Sequence, residues 1–374
     1  MSKRKILALL CAAALLLALA GCGAGQSRNT AVSGSAASGQ AADSAAAPDQ
    51  TDRLPLSGLE REDAAAAARR PVAVMVSNAA GAASHQWGIS EASVILEGLT
   101  EGKSTNLMLW FESIDAVPKV GPITEGKDLF WQFALAQNSI LAQRGSNTYA
   151  FNLLNCYAWQ PIDALYTGVN CYDYDGSDPA MSAEYNWYTR GTSLQHGLDA
   201  YGISADGPVP QWLHFGQAQG GAPAHTLTVH YSAETSTTLT WDGSAYGMFR
   251  ADGSPQCDAS TGVQAAFDNV LVLYCAAGVR DDKFTRDYDL SGGEGLYLTD
   301  GTWQAIRWQK GDVGDPLQLL AADGSALTVN PGRTYLGIYG GFTGQDITLT
   351  DDAGAAVETG LTAPAPMPTA TPAA

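Results

Sequence analysis

Short apolar runs separated by turn residues recur along most of the chain, and their periodicity changes near residue 210. In the first half the pattern is mixed. Pro71–Val76, Val94–Glu97 and Asn106–Glu112 read as strands, because each is compact and rich in β-branched, aliphatic or aromatic residues. Gly121-Pro122 marks a turn. Thr124 stands where it can cap a helix reaching about Gln137, with Glu125 and Asp128 in a first turn that favours negative charge. Leu129, Phe130, Phe133 and Ala134 supply the apolar stripe of that helix. Ser139–Ala142 is a further short strand. Gly145-Ser146-Asn147 turns into a second helix over Thr148–Leu154, and Thr192 caps a third that stops at Gly202.

After a Gly/Pro/Ala stretch at 210–224 the runs become uniformly β-like. They are Leu227–Tyr231, Thr237–Trp241, Tyr246–Arg250, Val270–Cys275, Leu296–Thr299, Trp303–Trp308, Leu317–Ala321, Leu327–Val329 and Tyr335–Tyr339. Asp242-Gly243, Asp252-Gly253, Asp300-Gly301 and Asp323-Gly324 fall between or beside them, and Asp-Gly supplies the positive φ of a tight hairpin. The expected fold class is α+β: an α/β domain with a mixed sheet over residues 60–215, followed by an antiparallel β-rich domain over 224–352.

The N-terminus has the layout of a bacterial export signal. Lys3, Arg4 and Lys5 precede the apolar run Ile6–Ala20, which is short for a membrane span. Leu19-Ala20-Gly21-Cys22 then resembles a lipobox, in which the cysteine receives a diacylglycerol before cleavage. The alternative is an ordinary secretory signal with a chance cysteine. The lipobox reading makes 1–21 a removed signal, Cys22 the lipidation site, and the cytoplasmic membrane's outer face the first partner. Two acyl chains suffice for stable anchoring. Residues 22–59, rich in Ser, Ala and Gly, read as a flexible tether, and Glu60–Arg70 as an Ala-rich helical stub ending before Pro71. The Pro/Ala/Thr segment 353–374 is expected to be a disordered tail.

Composition narrows the function classes. With 45% hydrophobic residues the chain can bury a core, and a formal charge of −18, becoming −21 once the three basic signal residues are removed, argues against nucleic acid as a partner. The mature chain carries four cysteines besides Cys22, namely Cys156, Cys171, Cys257 and Cys275. Outside the cell these permit two disulfides in any of three connectivities. Cys156–Cys171 is the most local pairing; Cys275, at the end of an apolar run, is either paired or a buried thiol. No CxxC occurs.

Several short motifs, taken in order, carry a family resemblance. Arg70-Pro71-Val72-Ala73-Val74-Met75-Val76-Ser77-Asn78 is similar to the opening motif of YerB-like lipoproteins, the family of domain of unknown function 3048. Gly88-Ile89-Ser90-Glu91-Ala92, Glu97, Glu101-Gly102 and Val120-Gly121-Pro122-Ile123 follow in the family's order. Asn269–Val272, Gly295–Trp308 and Asn330-Pro331-Gly332 resemble its C-terminal domain. The resemblance covers about residues 69–340, and implies an envelope lipoprotein with an α/β domain and a β domain, with no particular chemistry. There are departures. The family's Arg-Ser-Ala-Arg after Gly-Pro-Val is here Thr124-Glu125-Gly126-Lys127. An Arg after Thr is here Asn106, following Thr105. Pro-His-Asn becomes Glu184-Tyr185-Asn186, and a strand-end His is replaced by Ala142 or Gln143. If the missing cations bind an anion, that role is lost or changed, with Lys127 and Arg144 as substitutes.

In an open α/β sheet, ligands favour the carboxyl ends of strands, where helix N-termini point. Two such places are legible: Gly121 and Thr124 with Lys127 behind them, and Arg144-Gly145-Ser146-Asn147. With Asn186 these are the candidate ligand-binding residues. Glu97 and Glu101 are candidate catalytic carboxylates, since a carboxylate pair serves glycoside chemistry. The same residue types also make turns, caps and solvated surface. Asp173, Asp175, Asp178 and Glu184 are spaced as a loose calcium site or an acidic turn; the glycine that an EF-hand needs is misplaced. The five histidines form no ligand pattern, and HExxH, SxxK and GxSxG are absent from the folded region. Trp159, Tyr166, Tyr172, Tyr174, Tyr185, Trp187 and Tyr188 either present a glycan-stacking face or pack beneath a long loop. The leading expectation is a non-enzymatic envelope lipoprotein that binds a cell-wall glycan or an envelope protein. The alternative is an enzyme acting on envelope saccharides.

Overall fold

The computed structural model of the protein describes residues 52–61, 69–165 and 170–367. The signal, the lipidation site Cys22, most of the tether, most of the Ala-rich stub, Tyr166 and the last seven residues lie outside the described residues. Among the described residues no helix is long and apolar enough to cross a membrane.

The apolar runs assemble into an 11-stranded mixed sheet. Its order is Gln318–Leu320, Thr302–Gln309, Gly292–Thr299, Asn269–Tyr274, Thr334–Tyr339, Val94–Gly98, Asn106–Phe111, Val72–Ser77, Ile140–Gln143 and Ile162–Asp163, with Ala222–Pro223 beside Thr302–Gln309. Val94–Gly98, Asn269–Tyr274 and Thr334–Tyr339 are buried at every position, which is why they read as mainly apolar runs without alternation. Strands from both halves of the sequence share this sheet: Thr334–Tyr339 lies parallel between Asn269–Tyr274 and Val94–Gly98. Seven strands run in one direction, so Ser77, Gly98, Gln143, Asp163, Tyr274, Gln309 and Tyr339 end at a common edge.

A second, five-stranded antiparallel sheet is ordered Ala266–Phe267, Tyr246–Phe249, Ser236–Trp241, Thr226–His230, Asp346–Thr350. Here burial alternates: Leu227, Val229 and Leu239 face inward and the threonines between them outward. Those inward residues share a core with Val72, Val74, Ile95 and Leu109 of the large sheet. The helices Asp128–Ala136 and Thr148–Cys156 contribute Phe130, Trp131 and Leu154 to a second core with Met75, Met108 and Trp110. The architecture is α+β.

The tight turns follow the Asp-Gly pairs. Gly243, Gly253, Gly301 and Gly324 all take positive φ, and Asp300-Gly301 joins Thr299 directly to Thr302. Gly202 stops its helix in the left-handed conformation at φ 63°.

Helix starts differ from expectation. Thr124 caps nothing: its N–H donates to Met75 O and its carbonyl accepts from Arg144 N–H, so Ile123–Gly126 is drawn into extended pairing. The helix begins at Asp128, with Lys127 as its N-cap. Likewise Arg190, not Thr192, precedes the Gly191–Tyr201 helix. The local cysteine pairing is also not formed, because Cys156 is an exposed free thiol at a helix end, while Cys171 is buried in the core. Cys275 is a buried thiol that donates to Leu273 O, and burial pushes its pKa up.

Both flanking segments touch the body. Leu56 is buried, and the Leu56 and Ser57 N–H groups donate to the Glu112 carboxylate. Toward the other end, Val357 N–H donates to Leu349 O and Met367 N–H to Ala277 O.

Candidate functional site

At the common edge of the parallel strands lies a cleft of about 310 Å³, lined by Ser77, Glu101, Asn106, Ile123, Thr124, Glu125, Lys127, Arg144, Glu184 and Tyr185. Its position follows from the topology. Ser77 and Gln143 end neighbouring parallel strands, and two loops pair beside them, the one that leads into the Asp128–Ala136 helix and the one that leaves Gln143: Gly126 N–H donates to Gly145 O, and Asn147 N–H to Gly126 O. Asn147 then caps the Thr148–Cys156 helix through Oδ1, 2.8 Å from Ala150 N.

A buried acid that the sequence patterns did not single out holds the second loop. Asp163 is 4% exposed and accepts from Gln143 Nε2 at 2.7 Å, Gly145 N–H at 2.8 Å and Leu165 N–H at 2.9 Å. Sequence carried only the weak signal of an acid next to a strand run, and pairing with Gln143 needs the sheet. Trp131 Nε1 donates to Gln143 Oε1 at 3.0 Å, fixing the helix to the same strand end. Gly126 has no room for a side chain, since a Cβ there would sit 1.9 Å from Gln143 Oε1 and 2.4 Å from Trp131 Nε1. Gly126→Ala is therefore expected to cost about 2–3 kcal/mol in urea unfolding, through forced displacement of that hydrogen bond. A cost near zero would contradict the packing.

The electrostatics of the cleft are mixed. The Lys127 side chain is only 3% exposed and pairs with Glu101 and, at 2.8 Å, with Glu125. Burial pulls the lysine's pKa down, but the hydrogen bonds and charges of the two glutamates outweigh it and the net shift is upward. Arg144 makes no ion pair among the described residues; its guanidinium lies 5.1 Å from the Trp187 ring centroid, and its Nε is buried without a hydrogen-bond partner.

The other candidates divide. Glu97 is fully buried and faces no cleft. Its Oε1 accepts from Asn78 Nδ2 at 2.9 Å and Thr105 Oγ1 at 2.6 Å, and its Oε2 accepts from Thr237 Oγ1 and Tyr335 Oη at 2.8 Å each. Burial raises its pKa, with those four donors opposing. Glu97 and Glu101 thus share no common space. Gly121 lies under Trp87 and Trp187 in a cis Gly121–Pro122 turn, and Gly145, Ser146 and Asn147 support the cleft without lining it. Asn186 is buried behind it, donating to Tyr174 Oη at 3.2 Å.

The four calcium candidates point to separate partners. Asp173 pairs with Arg190, Asp175 with Lys119 at 3.2 Å, Asp178 caps Ala180 N–H, and Glu184 accepts from Ser182. Hydrogen bonds from Ser177 and Lys119 draw the Asp175 pKa down to about 2. Among the described residues no group of three or more His, Cys, Asp or Glu is arranged to hold a metal ion. Most of the aromatic run packs: Trp187 stacks edge-on with Tyr174, Tyr188 with Trp87, and Lys119 sits 3.4 Å from the Trp87 ring centroid. Tyr185 reaches the cleft.

The sequence profile of the "Protein of unknown function (DUF3048) N-terminal domain" matches residues 56–204, and that of the C-terminal domain of the same family matches 227–336. The chain belongs to the DUF3048 family. It is 28% identical over 306 residues to "Putative lipoprotein YerB" of Bacillus subtilis (strain 168), across 78% of this chain and 88% of that protein. It is also similar to the crystal structure of the YerB protein from Bacillus subtilis, with a TM-score of 0.69 and 25% identity, covering 79% of this chain and 99% of that one. Asn106, Thr124, Glu125, Lys127, Glu184 and Tyr185 all line the carboxyl-edge cleft, beside Glu101.

Proposed function

We propose that this chain is an extracytoplasmic lipoprotein, anchored through Cys22 to the outer face of the cytoplasmic membrane, whose carboxyl-edge cleft binds a cell-wall glycan without transforming it. The observation that carries the reading is Arg144, a guanidinium with no ion pair among the described residues, set against Trp187 in an otherwise polar, charge-paired cleft. Guanidinium N–H groups engage sugar carboxylates or amide carbonyls, carboxylates accept sugar hydroxyls, and aromatic faces support apolar sugar faces. The carboxylate-pair enzyme has less support. Glu97 is sealed behind four donors and Glu101 is held by Lys127, so neither is poised to exchange protons with a substrate.

Titration calorimetry with muropeptides tests this. Arg144→Ala is expected to weaken binding about tenfold or more, the worth of one hydrogen bond to a charged group. If no wall fragment binds, the glycan reading fails and an envelope protein becomes the better partner. Hydrolysis of wall glycans that Glu97→Gln abolishes would overturn the non-enzymatic reading.

A further inference from the structure

We propose that a second cleft, between the two sheets, is a separate binding site that takes a small ligand by its carboxylate, with Arg250 as the receiving group. The space is about 520 Å³, and Asn78, Ser84, Thr237, Arg250, Gln256 and Cys257 are among its lining residues. None of these was legible as a site in the sequence, and none belongs to the carboxyl-edge cleft.

Arg250 follows the strand Tyr246–Phe249, where Asp252-Gly253 folds the chain back so that Arg250 N–H donates to Ser254 O at 2.9 Å. Its guanidinium donates to Gln86 Oε1. Behind that contact stands a buried amide cluster. Gln256 Nε2 donates to Gln86 Oε1 at 2.8 Å and to Asn78 Oδ1 at 2.9 Å, and Gln86 Nε2 donates to Asn78 Oδ1 at 3.0 Å. Gln86 and Gln256 are 0% and 1% exposed, so Arg250 is held by groups that cannot move independently. Asn78 passes the network on to Glu97 at 2.9 Å. The negative charge nearest in the network is therefore two amides away and makes no contact with the guanidinium.

The acids at the cleft are already engaged. Glu234 pairs with Lys103, and Asp252 Oδ1 accepts from Ser254 N–H and Oγ. Arg250 is in no ion pair among the described residues. Burial lowers its pKa, with the charges of Asp252 and Glu97 opposing, and a bound carboxylate would relieve the desolvation cost that remains. A planar guanidinium with free N–H groups matches a carboxylate in bidentate geometry, and the hydroxyls of Ser84 and Ser236 can serve the rest of a small polar ligand.

The Ala80–His85 turn divides the two clefts. Ser84 lines this one, while Tyr185, packed on Gly81 and accepting from His85 Nδ1 at 3.2 Å, lines the other. Variants can therefore separate them.

The test is titration calorimetry of the full-length protein with N-acetylmuramic acid, a sugar acid, and with D-alanyl-D-alanine, a peptide acid, each beside its methyl ester. At least one acid is expected to bind, its ester at least tenfold more weakly, and Arg250→Ala should cost tenfold or more. In the Arg144→Ala background the preference for acid over ester, and its loss on adding Arg250→Ala, should both persist. Ser84→Glu, an exposed substitution that keeps Arg250 in place, should weaken it at least threefold and decides the matter if Arg250→Ala does not fold. Whichever acid binds identifies the ligand source. The proposal is overturned if neither acid binds, if acid and ester bind alike, if Arg144→Ala abolishes the binding, or if both cleft variants retain it.

Discussion

Replacing Glu97 with alanine is expected to destabilise the protein by about 4 kcal/mol, through buried donors left without an acceptor. The carboxylate sits where the two sheets meet. Asn78 and Thr105 approach from the large sheet and the loop before Asn106, Thr237 from the five-stranded sheet, and Tyr335 from a central strand. Tyr335 also lies 2.8 Å from Tyr231 Oη, so losing Glu97 strands a donor in the tyrosine pair as well. Thermal unfolding should register a fall in Tm on the order of 10 °C. Glu97→Gln should cost much less. Its carbonyl can face Asn78 and Thr105 while its NH₂ faces the hydroxyls of Thr237 and Tyr335, which can rotate to accept. An alanine variant as stable as wild type would show that the network does not hold the sheets together.

The same carboxyl gives a signed pH dependence. Burial raises its pKa in the folded state above the ordinary 4.5. Between that value and the raised one the folded protein binds more protons than the unfolded chain, so the contribution is greatest below 4.5 and is lost as pH rises through the folded pKa. Glu112 and Asp128 are shifted upward by burial too and share the sign. The informative quantity is therefore the difference between wild type and Glu97→Gln, which should show a shallower loss of stability with rising pH. Parallel curves for the two proteins would refute it.

Arg333→Met is expected to be comparably damaging, at about 3–4 kcal/mol in urea unfolding, because three carbonyls lose a charged donor. The guanidinium donates to Ile89 O at 2.7 Å, Ala266 O at 2.8 Å and Ala92 O at 2.9 Å. Ile89 and Ala92 belong to the approach to the Val94–Gly98 strand, whereas Ala266 belongs to the five-stranded sheet, so one side chain ties both sheets. Burial lowers its pKa to about 10, with Asp268, Glu91 and Asp258 opposing. Lysine cannot copy a planar three-way fork, so Arg333→Lys should recover only part of the loss. Equal stability of the lysine variant and wild type would mean that charge alone, without geometry, is what this position supplies.

Which parts of this protein were legible in its sequence follows from the range of the forces involved. The strands Val72–Ser77, Val94–Gly98, Asn269–Tyr274 and Thr334–Tyr339 were readable because a strand buried on both faces is mainly apolar, with Glu97 the charged exception. The Asp-Gly turns and the stop at Gly202 were readable because positive φ is a local demand. The carboxyl edge was readable as a place, since Thr124, Lys127 and Arg144 do meet there with Glu101. Asp346–Thr350 escaped notice: only Ile347 and Leu349 mark it, and its pairing partner Thr226–His230 lies more than a hundred residues away. Thr124 looked like a cap because cap propensity is local, yet the loop at Arg144 claimed its backbone first. Glu97 looked available because sequence cannot express solvent exclusion; only the closure of one sheet over the other sealed it. The amide cluster behind Arg250 joins residues up to about 180 positions apart, so no spacing along the chain could announce it. Local chemistry determined the elements of this protein, and long-range pairing decided which of its charges are sealed or paired within the fold.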